Sequence, residues 1–352
     1  MDKVELLKKL IACKAVTDNL PAVNLAVDVM HNFLVSNGLF CTIEDASGRH
    51  ILYASTEQTK APDFLLNAHL DVVPANDEQF IPRIENGIMF ARGTGDCQGN
   101  AVVLADLLLR VKGKASVGVI FSTDEEDGGL TTEYMVRHGY TAKKMIIVAD
   151  GNPYSIAIAQ KGIIDCTLVA NSKGGHSSAP WDFKNPIDML IDGYIKLRDA
   201  WPKSSASNQW VDTMAPTILS GGAVHNQIPD SAQMHINIRY INATDCEEII
   251  KKIEEITGLE VIISSICSPF FADENDPMVV ALKKAMQDMY PEKNITLIRM
   301  NCATDARHFA KLSAPIAVIG IDGDGIHTSK ESLRLASLDE NADLLEQFIL
   351  SV

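Results

Sequence analysis

Short apolar runs alternate with segments of helical periodicity along most of the chain. The apolar residues within 6–11 and 22–34 recur at helical spacing, whereas Phe64–Ala68, Val117–Phe121 and Met145–Ala149 are apolar runs of strand length. Polar residues and then helix-like segments follow these runs. This alternation predicts an α/β fold, with a mostly parallel sheet that carries helices on both of its faces.

The middle of the chain shows a different order of elements. The predicted elements there are the strand Ile163–Ala170, the helix Pro186–Ala200, a strand near Pro216–Ser220, the alternating strand Gln233–Tyr240, the helix Asp245–Thr257 and the strand Leu259–Ser265. This order is typical of a small α+β sandwich with an antiparallel sheet. The sequence therefore predicts an inserted domain at 162–268 and one outer domain formed by 1–161 and 269–352.

Composition and charge exclude several classes of protein. The chain has 352 residues, of which 46% are hydrophobic and 22% charged, which is ordinary for a globular protein. Its net charge of -15 argues against a nucleic-acid partner and against an anionic membrane surface. No apolar stretch approaches the roughly 18 residues that a membrane-spanning helix needs.

The N-terminus and the cysteines indicate a cytoplasmic protein. Charged residues begin at Asp2 and Lys3, so the N-terminus does not have the pattern of a signal peptide. The seven cysteines are an odd number and form no CxxC pair. Such cysteines are typical of reduced thiols rather than of a disulfide framework or a zinc ribbon.

Metal-ligating residue types follow several of the predicted strands. They are His69 and Asp71 after the first apolar run, Glu125 and Glu126 after the second, Asp150 after the third, His327 after Pro315–Ile321, and Asp96 just before a helix that begins near Gln98. The carboxyl ends of parallel strands meet at one edge of a sheet, where α/β proteins bind their ligands. We therefore expect these side chains to converge in one crevice.

The composition of this set favours a pair of transition-metal ions. Two imidazoles and three carboxylates suit zinc, cobalt or manganese better than calcium or magnesium. Five ligands are too many for one tetrahedral zinc ion, but they suit two ions about 3.5–4 Å apart that share a carboxylate. Such a pair activates a water molecule, and a carboxylate outside the ligand set must accept the proton of that water. One member of the Glu125–Glu126 pair is a candidate for this role.

Each of these residues taken singly has a simpler interpretation. Asp96 or Asp150 alone is more often a helix N-cap than a ligand. His69 alone is more often a structural histidine, although a nearby carboxylate such as Asp71 commonly orients a ligating imidazole. The prediction therefore depends on the joint placement of the residues at the strand ends.

Eight stretches of the chain together resemble a known family. They are NAHLDVVP (67–74), ARGTGDCQGN (91–100), STDEEDGG (122–129), ADGNP (149–153), GGHSSAP (174–180), HNQIPD (225–230), ATDARHF (303–309) and GIHTSKE (325–331). In this order they resemble the di-zinc metallopeptidase family that includes acetylornithine deacetylase, succinyl-diaminopimelate desuccinylase, aminoacylase and glutamate carboxypeptidase. The resemblance extends over nearly the whole chain.

The resemblance implies a role for each residue of the predicted metal site. His69 would ligate one metal ion, and Asp71 would orient this histidine. Asp96 would bridge the two ions, and the peptide bond between Asp96 and Cys97 would be cis. Glu125 would be the general base. The remaining ligands would be Glu126, Asp150 and His327.

The resemblance also implies substrate-contacting residues. His176 in the inserted domain would stabilise the oxyanion, reaching the neighbouring subunit's site in dimeric relatives, and Asn226 would assist it. Arg239 and Arg307 match positions that bind a substrate carboxylate, and an arginine fork suits bidentate recognition of that group. Either arginine could instead belong to an ordinary salt bridge.

The sequence departs from the family pattern at several positions near the predicted site. The stretch from Asp150 to Pro153 replaces the Gly-Glu-Pro-Thr of many deacetylases, and an aspartate there is shared with tripeptidase-like and dipeptidase-like relatives. Cys97-Gln98 replaces Met-Lys, and Asn301-Cys302-Ala303 replaces a glycine-rich stretch. These departures leave the metal ligands in place and leave the choice between peptidase and deacylase open.

The sequence as a whole predicts a cytoplasmic hydrolase with two divalent ions, with zinc as the first choice and cobalt or manganese as alternatives. A water between the ions would attack the amide bond of a small peptide or N-acyl amino acid. The inserted domain would act as a lid and would form a homodimer. Two alternatives are a catalytically silent relative that binds peptides or metal, and an enzyme with a single metal ion.

Overall fold

The computed structural model describes all 352 residues, which divide into two compact units. Unit 1 comprises Met1–Ala159, Phe271–Ile298 and Thr304–Val352. Unit 2 comprises Gln160–Phe270 and Arg299–Ala303. The predicted insertion at 162–268 lies within unit 2. The segment 299–303, which we had assigned to the outer domain, groups with unit 2 because its contacts lie there.

Nine helices and nineteen strands are present. The helices are α1 (Lys3–Ala12), α2 (Leu20–Ser36), α3 (Gln98–Val111), α4 (Leu130–Arg137), α5 (Pro186–Ala200), α6 (Cys246–Thr257), α7 (Pro277–Met289), α8 (Ala306–Phe309) and α9 (Ala336–Ser351). None of them combines the length and the apolar character that crossing a membrane requires.

The strands form one large sheet and three smaller ones. They are β1 (Phe40–Ala46), β2 (Arg49–Ser55), β3 (Phe64–His69), β4 (Arg83–Glu85), β5 (Ile88–Phe90), β6 (Val117–Ser122), β7 (Met145–Ala149), β8 (Ser155–Gln160), β9 (Gly162–Asn171), β10 (Gly175–His176), β11 (Thr213–Gly221), β12 (Gln227–Ile228), β13 (Ser231–Tyr240), β14 (Glu260–Cys267), β15 (Phe270–Phe271), β16 (Thr296–Met300), β17 (Ile316–Ile319), β18 (Gly323–Asp324) and β19 (Ser332–Arg334).

The large sheet has parallel strands at its centre. Its order is β1-β2-β6-β3-β7-β17-β8-β15, and β16 pairs with β8. The pairs β6–β3, β3–β7 and β7–β17 are parallel. Every residue of β3, β6 and β7 is buried, so both faces of the sheet are covered. This burial explains why these strands are apolar runs without alternation, and it confirms the predicted α/β class.

The flanks of the large sheet differ from the prediction of a mostly parallel sheet. Strands β1 and β2 form an antiparallel hairpin, and β2 also pairs antiparallel with β6. Ser47 and Gly48 connect the hairpin with positive φ angles of 59° and 90°, which is the conformation of a tight two-residue hairpin turn. Strand β7 is followed directly by β8, not by a helix. The sheet is therefore mixed.

Two helix starts show how local sequence sets the element boundaries. The side chain of Asn185 accepts a hydrogen bond from the amide of Ile187 at the start of α5, and Asp276 accepts one from Met278 at the start of α7. A proline at the first helical position follows each of these caps. Proline is tolerated there because its missing N–H would have had no helical partner.

Unit 2 contains an antiparallel sheet with a hydrophobic core on one face. The sheet has the order β11-β13-β9-β14. Residues along β13 alternate between buried and more exposed, and Ile236 and Ile238 belong to the core. Leu190 of α5 and Ile253 of α6 lie in the same core. This arrangement is the predicted α+β sandwich.

Candidate metal centre and active site

Three neighbouring strands bring acidic and imidazole side chains to one edge of the large sheet. Strand β3 ends at His69, and it lies between β6 and β7 in parallel register. Glu125 and Glu126 follow β6 after a short turn, and Asp150 follows β7 directly. Because parallel strands end at the same edge, these residues lie close together, as the sequence predicted.

Asp96 lies between the two predicted histidine ligands. Its Oδ1 atom is 2.9 Å from Nε2 of His69, and its Oδ2 atom is 3.0 Å from Nε2 of His327. The peptide bond between Asp96 and Cys97 is cis, as the resemblance implied. Each oxygen of one carboxylate thus faces a different imidazole, which is the arrangement that a bridging ligand requires.

The ligand atoms form two overlapping groups that share Asp96. Within each group, all candidate ligand atoms lie within 4.8 Å of one another. The groups are His69, Asp96, Cys97 and Asp150, and Asp96, Glu126 and His327. Two groups joined by one carboxylate fit two neighbouring divalent ions, because each ion would have imidazole and carboxylate donors.

Cys97 lies in the first group, but its thiol is hydrogen-bonded to the protein backbone. Its thiol donates a hydrogen bond to the carbonyl oxygen of Ala149 at 2.9 Å. Burial raises the pKa of the Cys97 thiol to about 12, although the neighbouring His69 acts in the opposite direction. Because the thiol is already bonded to this carbonyl oxygen, we take the nitrogen and oxygen atoms of the group as its donors.

The carboxyl groups of the site lie close enough together to shift one another's pKa values. Burial, with the charges of Asp96 and Glu125, raises the pKa of Asp150 well above its usual range. Burial raises the pKa of Asp96 as well, but the hydrogen bonds from His327 and His69 outweigh it and hold that pKa below its usual range. Divalent cations would neutralise this crowding, so binding of such ions is favourable here.

Asp71 holds both His69 and the turn that carries the two glutamates. Nδ1 of His69 lies 3.0 Å from the carbonyl oxygen of Asp71. If Nδ1 donates its proton there, Nε2 keeps its lone pair for a ligand. The Asp71 carboxylate accepts hydrogen bonds from the amides of Glu125 and Glu126, both at 3.3 Å. One buried aspartate therefore contacts both a candidate histidine ligand and the turn that carries the predicted base.

Glu125 is a largely buried carboxyl that lies outside both donor groups. Burial raises the pKa of its carboxyl to about 8, with His69 acting to lower it and Asp305 to raise it. Nη1 of Arg307 lies 3.7 Å from Oε1 of Glu125. A carboxyl with a pKa near the working pH suits a general acid–base, and added positive charge beside it would lower that pKa.

Several buried polar residues support the site without having been assigned a role from the sequence. Asp305 accepts hydrogen bonds from the hydroxyls of Ser122 and Thr132, both at 2.6 Å. The hydroxyl of Thr17 donates to Asp71 at 2.9 Å. Glu331 accepts from backbone amides beside Asp96. Asp305 and Glu331 lie inside stretches that resemble the family, and this was the one signal that could have identified them.

The predicted substrate residues of unit 2 occupy two places. His176 is on β10 and faces Gln227 of β12, and the carbonyl oxygen of Asn226 accepts a hydrogen bond from the amide of Ser177. His176 and Asn226 are therefore neighbours, and both are exposed. Nδ1 of His176 lies 2.8 Å from Oγ of Ser178.

Arg239 lines a cavity in unit 2. The cavity has a volume of about 320 Å³ and is lined by Lys161, Ser204, Ser205, Ala206, Gln209, Thr213, Arg239 and Asn301. Nε of Arg239 donates to the side-chain oxygen of Asn237, and Nζ of Lys161 donates to the carbonyl oxygens of Gln209 and Val211. Neither cation forms a salt bridge, so the salt-bridge interpretation of Arg239 does not apply.

The chain is similar to known proteins over most of its length. A family model described as peptidase family M20/M25/M40 matches residues 65–351. The chain is 26% identical to a [LysW]-lysine/[LysW]-ornithine hydrolase of Saccharolobus solfataricus, over 82% of this chain and 80% of that protein. It is 25% identical to a succinyl-diaminopimelate desuccinylase of a Sulfurovum species, over 99% and 97%.

A solved structure shares the fold over the full length of both chains. It is an M20 family metallo-carboxypeptidase, Sso-CP2, from Sulfolobus solfataricus. The TM-score is 0.81 at 16% sequence identity, and the match covers 99% of each chain. The two-part architecture of this chain is thus that of known metallopeptidases.

Proposed function

The chain belongs to peptidase family M20/M25/M40, and from that premise we propose that it cleaves an amide bond in a small peptide or an N-acyl amino acid with the help of two divalent ions. It is a hydrolase of carbon–nitrogen bonds, and the family resemblance and the enzyme class predicted from the sequence are confirmed. The number and identity of the ions, the substrate and the residue roles below are our proposals.

The observation that carries the proposal is the double contact of Asp96 with His69 and His327. One ion would be held by His69, Asp96 and Asp150, and the other by Asp96, Glu126 and His327. When bound, such ions lower the pKa of a water and polarise a carbonyl oxygen. Nitrogen and oxygen donors suit zinc, cobalt or manganese, and we propose zinc as the native metal.

The residues of this chain then move the proton. Glu125 is outside both donor groups, so its carboxylate is available to accept a proton from the attacking water and to return it to the leaving nitrogen. Asp71 orients His69 and fixes the amides of the turn that carries Glu125. The oxyanion roles of His176 and Asn226 stay predictions.

Three cationic side chains support a substrate with a free carboxylate: Arg239, Lys161 and Arg307. Arg239 and Lys161 line one cavity, and neither forms a salt bridge. Arg307 is buried, and its nearest carboxylate is Glu125 at 3.7 Å. Buried or enclosed cations gain most from an anionic ligand, because the surrounding protein screens charge poorly. We propose Arg239 and Arg307, each in its own unit, as candidates for binding the substrate carboxylate.

Metal-loaded protein is expected to hydrolyse substrates with a free carboxylate in preference to their amides. The experiment compares dipeptides and N-acetyl, N-succinyl and N-formyl amino acids with the matching carboxamides, after loading with Zn²⁺, Co²⁺ or Mn²⁺. We expect a carboxylate–arginine pairing to favour the acid by at least about tenfold in kcat/KM, the effect of one charge-assisted hydrogen bond. Equal rates on acid and amide would contradict the roles of Arg239 and Arg307.

The same experiment distinguishes the enzyme from a catalytically silent relative. A silent relative would bind metal or peptide and release no product from any compound of the panel. Every residue of the predicted metal set is present and lies at the strand-end edge of unit 1, which favours the active enzyme. Metal removal by a chelator, followed by re-addition, serves as the control for adventitious hydrolysis.

We further propose that unit 2 forms a homodimer through the edge strand β11. This strand pairs with β13 only, and Ile218 and Leu219 on it are 64% and 61% exposed. An exposed edge strand with apolar side chains is a template for pairing with another strand. A second copy of the same strand would satisfy both its backbone groups and its apolar surface.

Lysine substitutions on β11 are expected to convert a dimer to a monomer. Charged lysines at Ile218 and Leu219 would oppose pairing of two identical edges. Size-exclusion chromatography with light scattering measures the mass of the wild-type protein and of the double variant. Ile262→Lys is the matched control, because Ile262 is 49% exposed on β14, the opposite edge of the same sheet. A monomeric wild-type protein would rule the proposal out.

The cytoplasmic location stays a prediction. All seven cysteines are free. The exclusion of nucleic acid and membrane as partners likewise rests on the net charge of -15.

A further inference from the structure

A buried ion pair lies directly behind the shared carboxylate of the metal centre. Glu331 is 2% exposed and Arg92 is 3% exposed. Nη1 of Arg92 donates to Oε2 of Glu331. The stretch GIHTSKE contains both His327 and Glu331, but no role had been assigned to this glutamate.

The second oxygen of Glu331 binds the backbone that carries Asp96. Oε1 accepts hydrogen bonds from the amide of Gly95 at 3.0 Å and from the amide of Asp96 at 3.2 Å. Both oxygens of the carboxylate are therefore occupied, one by a guanidinium and the other by two amides. All of these partners are donors, so the site requires a group that accepts at both oxygens.

This carboxylate connects the two segments that supply ligands to both proposed ions. Glu331 follows His327 by four residues, and its side chain reaches across to the backbone of Asp96. The Asp96 side chain in turn contacts His327 and His69. A shift of the Asp96 backbone would therefore change the distances from one carboxylate to both histidines at once.

We propose that Glu331 is a positioning residue that holds the Asp96 backbone so that the Asp96 carboxylate can serve both ions. This inference rests on the proposed function. Arg92 places a positive charge against Glu331, and a paired charge offsets part of the cost of burying a carboxylate. Removing a hydrogen-bond partner that positions a metal ligand typically lowers the metal affinity by about 10–100-fold.

The variant Glu331→Gln tests this role. It keeps the size of the side chain, but its NH₂ group must face either Arg92 or the two amides, and all of these are donors. We expect the affinity for Zn²⁺, measured by competition with a chromophoric chelator, to fall by about 10–100-fold. We also expect the absorption spectrum of the Co²⁺-loaded variant to differ from that of the wild type.

A matched control and a second variant keep the test decisive. Glu44→Gln removes a carboxylate that bonds Tyr140 and Lys60, away from the metal site, and should leave Zn²⁺ affinity unchanged. If Glu331→Gln does not fold, Glu331→Asp is tested instead. Aspartate keeps the negative charge, but its side chain is one methylene shorter, so the carboxylate lies farther from the two amides. The same loss of affinity is then expected.

The outcomes separate this inference from the proposed function. A variant whose metal-free protein melts at a lower temperature, but which binds two Zn²⁺ ions with wild-type affinity, would show a merely structural role and overturn the inference. A wild-type protein that binds no Zn²⁺, Co²⁺ or Mn²⁺ would overturn the proposed function itself. Weaker binding by the variant, with two ions bound by the wild type, would support both.

Discussion

Glu125→Gln should reduce kcat by about 10²–10⁴-fold on every substrate that the protein hydrolyses, which is the usual contribution of a general acid–base. Glutamine has nearly the same shape as glutamate, but it cannot accept and return a proton. The metal content should stay at two ions per chain, since Glu125 lies outside both donor groups. Steady-state kinetics and elemental analysis on the same preparation measure the two quantities.

The control for this variant comes from the same turn. Asp127→Asn also removes a carboxylate, but Asp127 is exposed and has no contact with the ligand set, so its kcat should stay near the wild-type value. A Glu125→Gln variant with full activity would show that another group accepts the proton. Loss of metal together with activity would instead show that Glu125 is a ligand.

Asp96→Asn should lower both the metal content and the activity. The amide offers one neutral oxygen where the carboxylate offers two charged ones, and the second of these faces His327 at 3.0 Å. We expect fewer than two ions per chain after dialysis. We also expect kcat to fall by at least about 10²-fold, because one ion must then supply the chemistry of two. Elemental analysis and kinetics with saturating metal check these values.

The thermal response to metal provides an independent readout for Asp96. An ion that binds only the folded protein stabilises it in proportion to the logarithm of its concentration above the dissociation constant, so Zn²⁺ should raise the melting temperature of the wild type more than that of the variant. Asp77→Asn is the control, because Asp77 pairs with Lys14 on the surface. A wild-type protein that is fully active with a single bound ion would contradict the bridging role and support the mononuclear alternative.

The strands that carry the site could be predicted from the sequence because of how a parallel sheet is buried. Strands β3, β6 and β7 are covered on both faces, so they are apolar runs, and the polar residues that follow each run stand out. The antiparallel pairs at the flanks of the sheet were not predicted, because burial does not reveal strand direction. Strand β8 is fully buried, as β7 is, but nothing local in its sequence indicates the direction in which it pairs.

The supporting residues of the site could not be predicted because their partners are distant along the chain. Thr17 is 54 residues from Asp71, Ser122 is 183 residues from Asp305, and Gly95 is 236 residues from Glu331. No periodicity or spacing connects such pairs. The grouping of 299–303 with unit 2 could not be predicted for the same reason. It depends on contacts that this segment, which begins within strand β16, makes with residues far away in the sequence.

The residue types and their order along the chain were enough to predict the α/β class, an inserted segment and a set of candidate ligands, because local periodicity and strand-end chemistry are properties of neighbouring residues. The family came from the resemblance of eight short stretches. The tertiary structure alone decided that Asp96 faces two histidines, that the Cys97 thiol bonds a carbonyl, and that Glu331 bonds the backbone of Asp96. These features depend on distances between segments far apart in sequence, and only packing sets such distances.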